Sequence, residues 1–486
     1  MKILLNKALY EDKVYACWLG KNIGGTMGAP YEGSREMNDI SGYNSPKGEP
    51  LPNDDLDLQL VWLMAMENVG PTKLDANVLA WHWRYIYPHW NEYGTGKNNL
   101  RVGLLPPLSG EFKNEAWKHS NGAWIRSEIW ACLAPGYPEI AMKYAIYDAS
   151  VDHGISEGTI AEMFTAALES LAFLETDVKT VIAKALTYIP EDSRVTRAVK
   201  LVIDEYNKGT DWKEVRQKIV EENADLGWFQ APGNIAFVIL GLLYGEGDFL
   251  KSLIYAINCG DDTDCTGATV GAILGILGGR KAIPADLAEY IGDRIITGSL
   301  DGSSGETPFP KSCTELSERV IRLMPTVMLG NKVEVEYVKS DAAELILEKS
   351  GWPFEAHLYK EEFDRYLARS PYSFDINEQG MCVTVEFGGE PVIKKGESID
   401  VRVRFRNWTY MPQWLKIKVY QPAGWDAQYS KSVQLLHHTN ETYPEAFWNL
   451  KITATEGEIE AINRIPIVVE VGNFAMPVTI PLVILG

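Results

Sequence analysis

A chain of 486 residues is too long for one ordinary hydrophobic core, and its length points to two or three domains. Apolar residues make up 46% and charged residues 23%, a globular balance that excludes a largely disordered chain. The formal net charge of −20, with no dense Lys/Arg cluster, excludes a polynucleotide as the main partner. The opening MKILLNKALYEDKVYACWLG is interrupted by Lys7, Glu11 and Asp12 too early for a signal peptide. The longest apolar stretches, 235–244 and 268–279, fall short of the ~20 residues a membrane helix needs. The six cysteines (17, 132, 259, 265, 313 and 382) form no CxxC pair and no disulfide framework. They read as reduced thiols, so a cytoplasmic protein is expected.

The first two thirds read as helices. Leu56, Leu60, Leu63 and Met64 recur at helical spacing after Asn53. Ile160, Phe164, Ala167, Leu168 and Leu171 do so after Ser156, and Val195, Ala198, Val199, Val202 and Ile203 do so again. Two Gly/Pro-rich stretches, 41–53 and 92–111, read as long loops. After about residue 330 the pattern changes to alternation. Val383, Val385 and Phe387 make one such run, Ile399, Val401, Val403 and Phe405 another, and Leu415, Ile417 and Val419 a third. Ile465, Ile467 and Val469, then Val478, Ile480 and Leu482, follow. Short alternating runs bounded by Gly, Pro and Asn predict an immunoglobulin-like antiparallel β-sandwich. The expected division is a helical domain over 1–335, a connecting segment over 336–371 and the sandwich over 372–486. The sequence SDAAELILEKSGWPFEAH in the connecting segment suits either a helix or part of the sandwich.

Two acidic segments carry chemistry. In Asn53-Asp54-Asp55-Leu56-Asp57, Asn53 suits an N-cap and the aspartates fall in the first helical turn. Carboxylates there complement the helix dipole, which is reason enough for them, but adjacent oxygens at a helix start also suit a hard cation. The second segment is Cys259-Gly260-Asp261-Asp262-Thr263-Asp264-Cys265-Thr266, followed by a helix of small residues, Gly267, Ala268, Gly271, Ala272 and Gly275. On an exposed turn it would simply cap that helix. The apolar sequence on both sides instead predicts burial, where three aspartates repel one another unless a divalent cation offsets the charge. A spacing of two lets Asp262 and Asp264 point inward while Thr263 faces elsewhere. Two clusters more than 200 residues apart suit a two-metal site. Oxygen donors favour Mg²⁺, Mn²⁺ or Ca²⁺ over zinc.

In four places, in the same order, the chain resembles the ADP-ribosylglycohydrolase family. GKNIGGTMGAPYEG (20–33) is similar to that family's opening GxxxGDxxGxxxE element, and Asn53-Asp54-Asp55 to its Thr/Ser-Asp-Asp motif. SNGAWIRSEIW, followed by DASVDHG, resembles its GNGxxMR…TH segment, and Asp262-Thr263-Asp264-Cys265 its Asp-Thr-Asp-Thr motif. The resemblance spans about residues 5–300 and implies an all-α orthogonal bundle with two Mg²⁺ ions in a central cleft. The activity implied is hydrolysis of the anomeric N- or O-bond that joins ADP-ribose or a related ribosyl group to a protein or small molecule.

By the same resemblance, Asn53, Asp54, Asp55, Asp262 and Asp264 would be metal ligands, with Cys265 in the place of a threonine ligand. Glu32 would be the mobile carboxylate that assists proton transfer, and Asn121, Gly122 and His153 would line the ribose side. Asn53 in place of a hydroxyl, Cys265 in place of threonine, and Gly25-Thr26 where Gly-Asp is usual are departures that bear on the substrate. Other furanosides or nucleoside conjugates are therefore alternative substrates. A relative that binds without catalysis, with the sandwich serving adhesion, is the alternative of a different class. Of the tryptophans 81, 83, 90, 117, 124 and 130, most are expected in the core, with one or two free to stack on a sugar or base. Trp408, Trp414 and Trp425 of the sandwich suit either carbohydrate contact or packing.

Overall fold

The computed structural model describes residues 2–301, 308–339, 356–378, 380–438, 444–472 and 476–486. The chain forms two compact units. The first comprises Met1–Tyr93, Ala116–Ala149 and Ile155–Tyr366, and the second Gly94–Glu115, Ser150–Gly154 and Leu367–Gly486.

The first unit is helical. Its centre is the contact between the helices Lys7–Gly28 and Thr263–Gly278, both buried along almost their whole length. Gly20, Gly24 and Gly28 recur every four residues and line one face of the first helix, while Gly267, Gly271 and Gly275 do the same on the second. The glycine faces meet backbone to backbone. A Cβ on Gly267 would lie 2.7 Å from the Gly24 carbonyl oxygen, and one on Gly271 would lie 2.7 Å from the Gly20 carbonyl carbon. Only glycine permits that approach. Gly28 ends the first helix beside Thr263, whose hydroxyl donates to the Gly28 carbonyl at 2.8 Å.

Helix Asp54–Val69 is buried on every side from Asp55 to Met66, so it runs through the core rather than along its surface. The helices expected after Ser156 and around Val195 to Ile203 are present as Glu157–Ala172 and Arg194–Lys208, capped by the side chains of Ser156 and Ser193. The 41–53 stretch is irregular, as expected. It is fixed by packing: Tyr43 stacks on Tyr290, the Tyr290 hydroxyl donates to the Ser45 carbonyl, and Thr26 accepts the Leu51 N–H. One element went unanticipated in a unit expected to be all-α. Strands β1 (Lys2–Asn6) and β2 (Glu334–Val338) pair in parallel. No described helix is long and apolar enough to cross a membrane, and all six cysteines are free.

The second unit is built on two antiparallel sheets. Strands β3 (Ser373–Glu378), β4 (Met381–Phe387), β5 (Ser398–Asn407), β6 (Gln413–Val419), β7 (Asp426–Tyr429), β8 (Ser432–Leu435), β9 (Glu445–Thr453), β10 (Ile462–Val471) and β11 (Val478–Leu485) form them. One sheet has the order β3-β4-β5-β9-β7 and the other β11-β10-β6-β8. Taken without β3 and β8, they follow the A-B-E-D and G-F-C order of immunoglobulin sandwiches. Alternation puts Val401, Val403 and Phe405 of one sheet, and Ile465, Ile467 and Ile480 of the other, into a common core.

The 92–111 stretch is not the long loop its glycines suggested. Helix Asn91–Val102 runs through it, and Leu104, Leu108 and Phe112 join the sandwich core. Tertiary packing overrides propensity here. Asn99 donates to the carbonyls of Ser109 and Phe112, and Gly96 packs within 3.0 Å of Asp152 measured from an added Cβ. Most of the SDAAELILEKSGWPFEAH stretch lies outside the described residues; its end opens the helix Ala356–Leu367.

The glycine contact makes a direct stability prediction. Gly271→Val destabilises the protein by about 3 kcal/mol or more, since the neighbour it meets is backbone and cannot yield. Gly42→Ala, with no atom within 4 Å of the new carbon, changes stability by less than about 0.5 kcal/mol. Urea unfolding followed by helical circular dichroism measures both.

Candidate metal centre

The two acidic segments meet in the helical unit. The antiparallel glycine contact brings the end of helix Lys7–Gly28 to the start of helix Thr263–Gly278. Just beyond, Ser34 and Asp261 form an antiparallel bridge, with Gly33 N–H to the Asp261 carbonyl at 2.8 Å and Asp261 N–H to the Ser34 carbonyl at 2.6 Å. That bridge holds Glu32 beside Asp262 and Asp264: one ligand atom from each of the three lies within 4.8 Å of the others. A second group, Asp55, Asp264 and Cys265, meets the same criterion. Asp264 belongs to both groups.

Asn53 caps helix Asp54–Val69, its Oδ1 accepting the Asp55 N–H at 2.7 Å, so one lone pair of that oxygen remains for another partner. Asp55 is fully buried, and Cys265 Sγ donates to its Oδ1 at 3.2 Å. Asp54 accepts from the Tyr93 hydroxyl at 3.0 Å. Asp262 Oδ2 accepts from Asn121 Nδ2 at 2.8 Å, while Asn121 Oδ1 accepts from Trp124 Nε1 at 3.0 Å. Asn121 therefore orients Asp262 with one half of its amide and is itself fixed through the other. Gly122 lies next to it, its carbonyl accepting from Arg126. His153 belongs to the second unit, where its Nδ1 lies 3.0 Å from Asp152.

The electrostatics are those of crowded buried acids. Burial, reinforced by Asp264, raises Asp54 to about 6. Burial raises Asp55, Asp262 and Asp264 as well, against the opposing pull of Lys21 on Asp55. Glu32, the exposed member, is raised to about 8, first by the charge of Asp264, then by burial and Asp54. Burial and the four surrounding aspartates push the Cys265 thiol well up. Among the described residues, Asp262 Oδ1 and Asp264 Oδ1 are buried and have no hydrogen-bond partner; Asp55 Oδ2 has no hydrogen bond either but lies 3.5 Å from the Lys21 ammonium. Buried carboxylate oxygens left this way are costly unless a cation meets them. Oxygens of this kind, with two ligand groups sharing Asp264, fit a pair of divalent cations.

Sequence reasoning passed over several residues that shape the site. Lys21 is fully buried, with Nζ 2.7 Å from Glu128 Oε1, 2.8 Å from the Ile125 carbonyl and 3.5 Å from Asp55 Oδ2. Burial alone would lower the pKa of this ammonium, but Glu128 and Asp55 hold it above the ordinary lysine value. Gln59 links the same groups, donating to Glu128 Oε2 at 2.7 Å and to the Asp55 carbonyl at 2.9 Å. Glu92 adds negative charge against Asp262. Asp57 turns away from the group: its Oδ2 accepts the N–H groups of Gly298 and Ser299. Asp261 also serves structure, accepting from Phe229 N–H and Asn234 Nδ2. A lysine set among the glycines of an otherwise apolar helical stretch was the available signal for Lys21. Of the tryptophans, Trp83, Trp124, Trp130 and Trp425 are buried, whereas Trp81, Trp90, Trp408 and Trp414 are exposed.

A family model described as ADP-ribosylglycohydrolase matches residues 6–319. Among solved structures, a chain from an "ADP-ribosylglycohydrolase-related protein complex" is 19% identical with a TM-score of 0.47; the match covers 66% of this chain and 100% of that one. A FixG-related protein from Vibrio parahaemolyticus is 8% identical over 22% of this chain and 97% of its own, with a TM-score of 0.19. The GAE domain of GGA2p from Saccharomyces cerevisiae is 10% identical over 23% and 96%, with a TM-score of 0.17. No curated protein matches the chain.

Removing the buried ammonium leaves Asp55 and Glu128 uncompensated. Lys21→Met therefore destabilises the cation-free protein by about 3 kcal/mol or more. A loss below about 1 kcal/mol in urea unfolding would show that the lysine does not offset these charges.

Proposed function

We propose, from the fact that this chain belongs to the ADP-ribosylglycohydrolase family, that its helical unit is a metal-dependent hydrolase of an anomeric N- or O-glycosidic bond. The group released would be ADP-ribose or a related ribosyl or furanosyl group, from a small molecule or from protein. Family membership supports the glycohydrolase-type activity. The observation that supports metal dependence is the gathering of the buried Asp55, Asp262 and Asp264 into two ligand groups that share Asp264, with Asp262 Oδ1 and Asp264 Oδ1 lacking a hydrogen-bond partner among the described residues.

Asn53, Asp54, Asp55, Asp262, Asp264 and Cys265 would hold the cations, Mg²⁺ being the first choice for a set dominated by oxygen donors. Bound cations supply Lewis acidity and fix sugar hydroxyls. The chain's own residues do the rest. Glu32 is the exposed carboxyl of its group, so it is the one placed to hold or deliver a proton at the leaving atom or the attacking water. Asn121 keeps Asp262 turned toward the centre, and Asn121 and Gly122 would form the sugar side. The carboxylates next to Glu32 are buried, which shields them from water and strengthens their fields.

A hydrolysis screen with ADP-ribosylated protein, nucleoside conjugates and aryl furanosides, with and without Mg²⁺, tests this reading. Turnover should require a divalent cation, and Glu32→Gln should lower kcat by on the order of 10²–10⁴. Mg²⁺ at about 100 times its Kd should stabilise the folded chain by about 2.7 kcal/mol, and Asp262→Asn should remove most of that gain. Turnover that survives exhaustive chelation would defeat the metal-dependent reading.

A further inference from the structure

The two ligand groups are not equivalent. Glu32, Asp262 and Asp264 offer oxygen alone, and one of them is exposed. Asp55, Asp264 and Cys265 offer two oxygens and a sulfur, and all three are buried. We propose that the two positions select different cations: the oxygens of Asp262 and Asp264, with Glu32 beside them for the proton, take Mg²⁺, and the Asp55–Asp264–Cys265 group takes a borderline cation of the zinc type through the Cys265 sulfur. This rests on the metal-dependent reading above and gives each position its own chemistry.

Three observations carry it. The Cys265 sulfur lies 3.2 Å from Asp55 Oδ1, so the thiol faces the carboxylates and is turned to the ligand side. Cys259, six residues earlier, directs its thiol to the Tyr255 carbonyl of its own helix, the ordinary use of a buried cysteine. Second, Asp264 Oδ1, in the same group as Cys265, is buried and lacks a hydrogen-bond partner among the described residues, while Asp55 Oδ2 lies 3.5 Å from the Lys21 ammonium. Third, the donor set discriminates between metals. Mg²⁺ binds oxygen in a near-ideal octahedron and retains water, so a sulfur in this position is wasted on it. Zinc-type cations accept sulfur and carboxylate together, and three protein ligands with one open position is the pattern of a catalytic zinc site. On coordination the cation–sulfur bond replaces the S–H bond, and the proton passes to solvent.

Co²⁺ is the probe, because a cobalt–sulfur bond gives a near-ultraviolet charge-transfer band that oxygen ligands do not. The intact protein should show this band, and it should persist in excess Mg²⁺. Cys265→Ser should abolish the band and weaken Co²⁺ binding at that position on the order of 100-fold, while Mg²⁺ binding at the other position remains. Asp262→Asn, which leaves the sulfur group complete, should lose Mg²⁺ binding and keep the band, so the inference stays testable even where Cys265→Ser fails to fold. A protein that binds Mg²⁺ but shows no cobalt–sulfur band, or a band that survives Cys265→Ser, overturns the inference and leaves the proposed function standing. If neither Mg²⁺ nor Co²⁺ binds, both fall together.

Discussion

The backbone contact between helices Lys7–Gly28 and Thr263–Gly278 is the constraint on which the rest of the helical unit depends. Side chains at Gly20, Gly24, Gly267 or Gly271 would force the axes apart. With them gone, the end of one helix comes against the start of the other, and two loops follow that geometry. The Glu32 loop is bridged to Asp261, and the Asp262–Asp264 turn is pinned through Thr263 to Gly28. Asp55 is brought to the same place from a third helix, itself buried from Asp55 to Met66. Small residues here set the geometry of the acidic site through packing, since they determine how closely charged groups from distant sequence can approach.

That closeness carries an electrostatic cost. Glu32, Asp54, Asp55, Asp262 and Asp264 crowd into a largely buried space, and Glu92 adds to their field. Each pair of like charges about 4 Å apart costs on the order of 4 kcal/mol at an effective dielectric near 20. Lys21 answers part of this through Asp55, but it is also engaged by Glu128. One ammonium cannot balance the set: the charge of Asp264 is the first cause of the raised value of Glu32, and it adds to burial in raising Asp54. Divalent cations balance it directly, which is why the same geometry that strains the protein alone suits the proposed chemistry.

The sequence disclosed the acidic residues better than it disclosed their supports. Asn53 and the aspartates after it could be read because capping and dipole effects are local, and the structure has Asn53 as the cap of helix Asp54–Val69. The acidic turn before Thr263 could be read because its apolar flanks implied burial. Lys21 could not be assigned a partner, because Glu128 lies 107 positions away and no local rule links them. Asn121 lay within a recognisable motif, but its tie to Asp262 across 141 positions needed coordinates. In the sandwich, the strongly alternating strands β4, β5, β6, β10 and β11 stood out. The short strands β7 and β8 did not, and β9 opens on exposed residues before Trp448, Leu450 and Ile452 turn inward. Helix Asn91–Val102 does not show in the sequence because Gly96, which propensity counts as a loop signal, serves close packing against Asp152.

The account stands on cations seated where the two acidic segments meet. Anomalous scattering from crystals of the protein soaked in Mn²⁺ tests this most directly. It predicts density peaks bounded by Asp55, Asp262 and Asp264, within about 2.0–2.6 Å of carboxylate oxygens, as oxygen-bound hard cations require. Well-ordered crystals with those three side chains clear of any peak, or with Mn²⁺ held elsewhere, would contradict it.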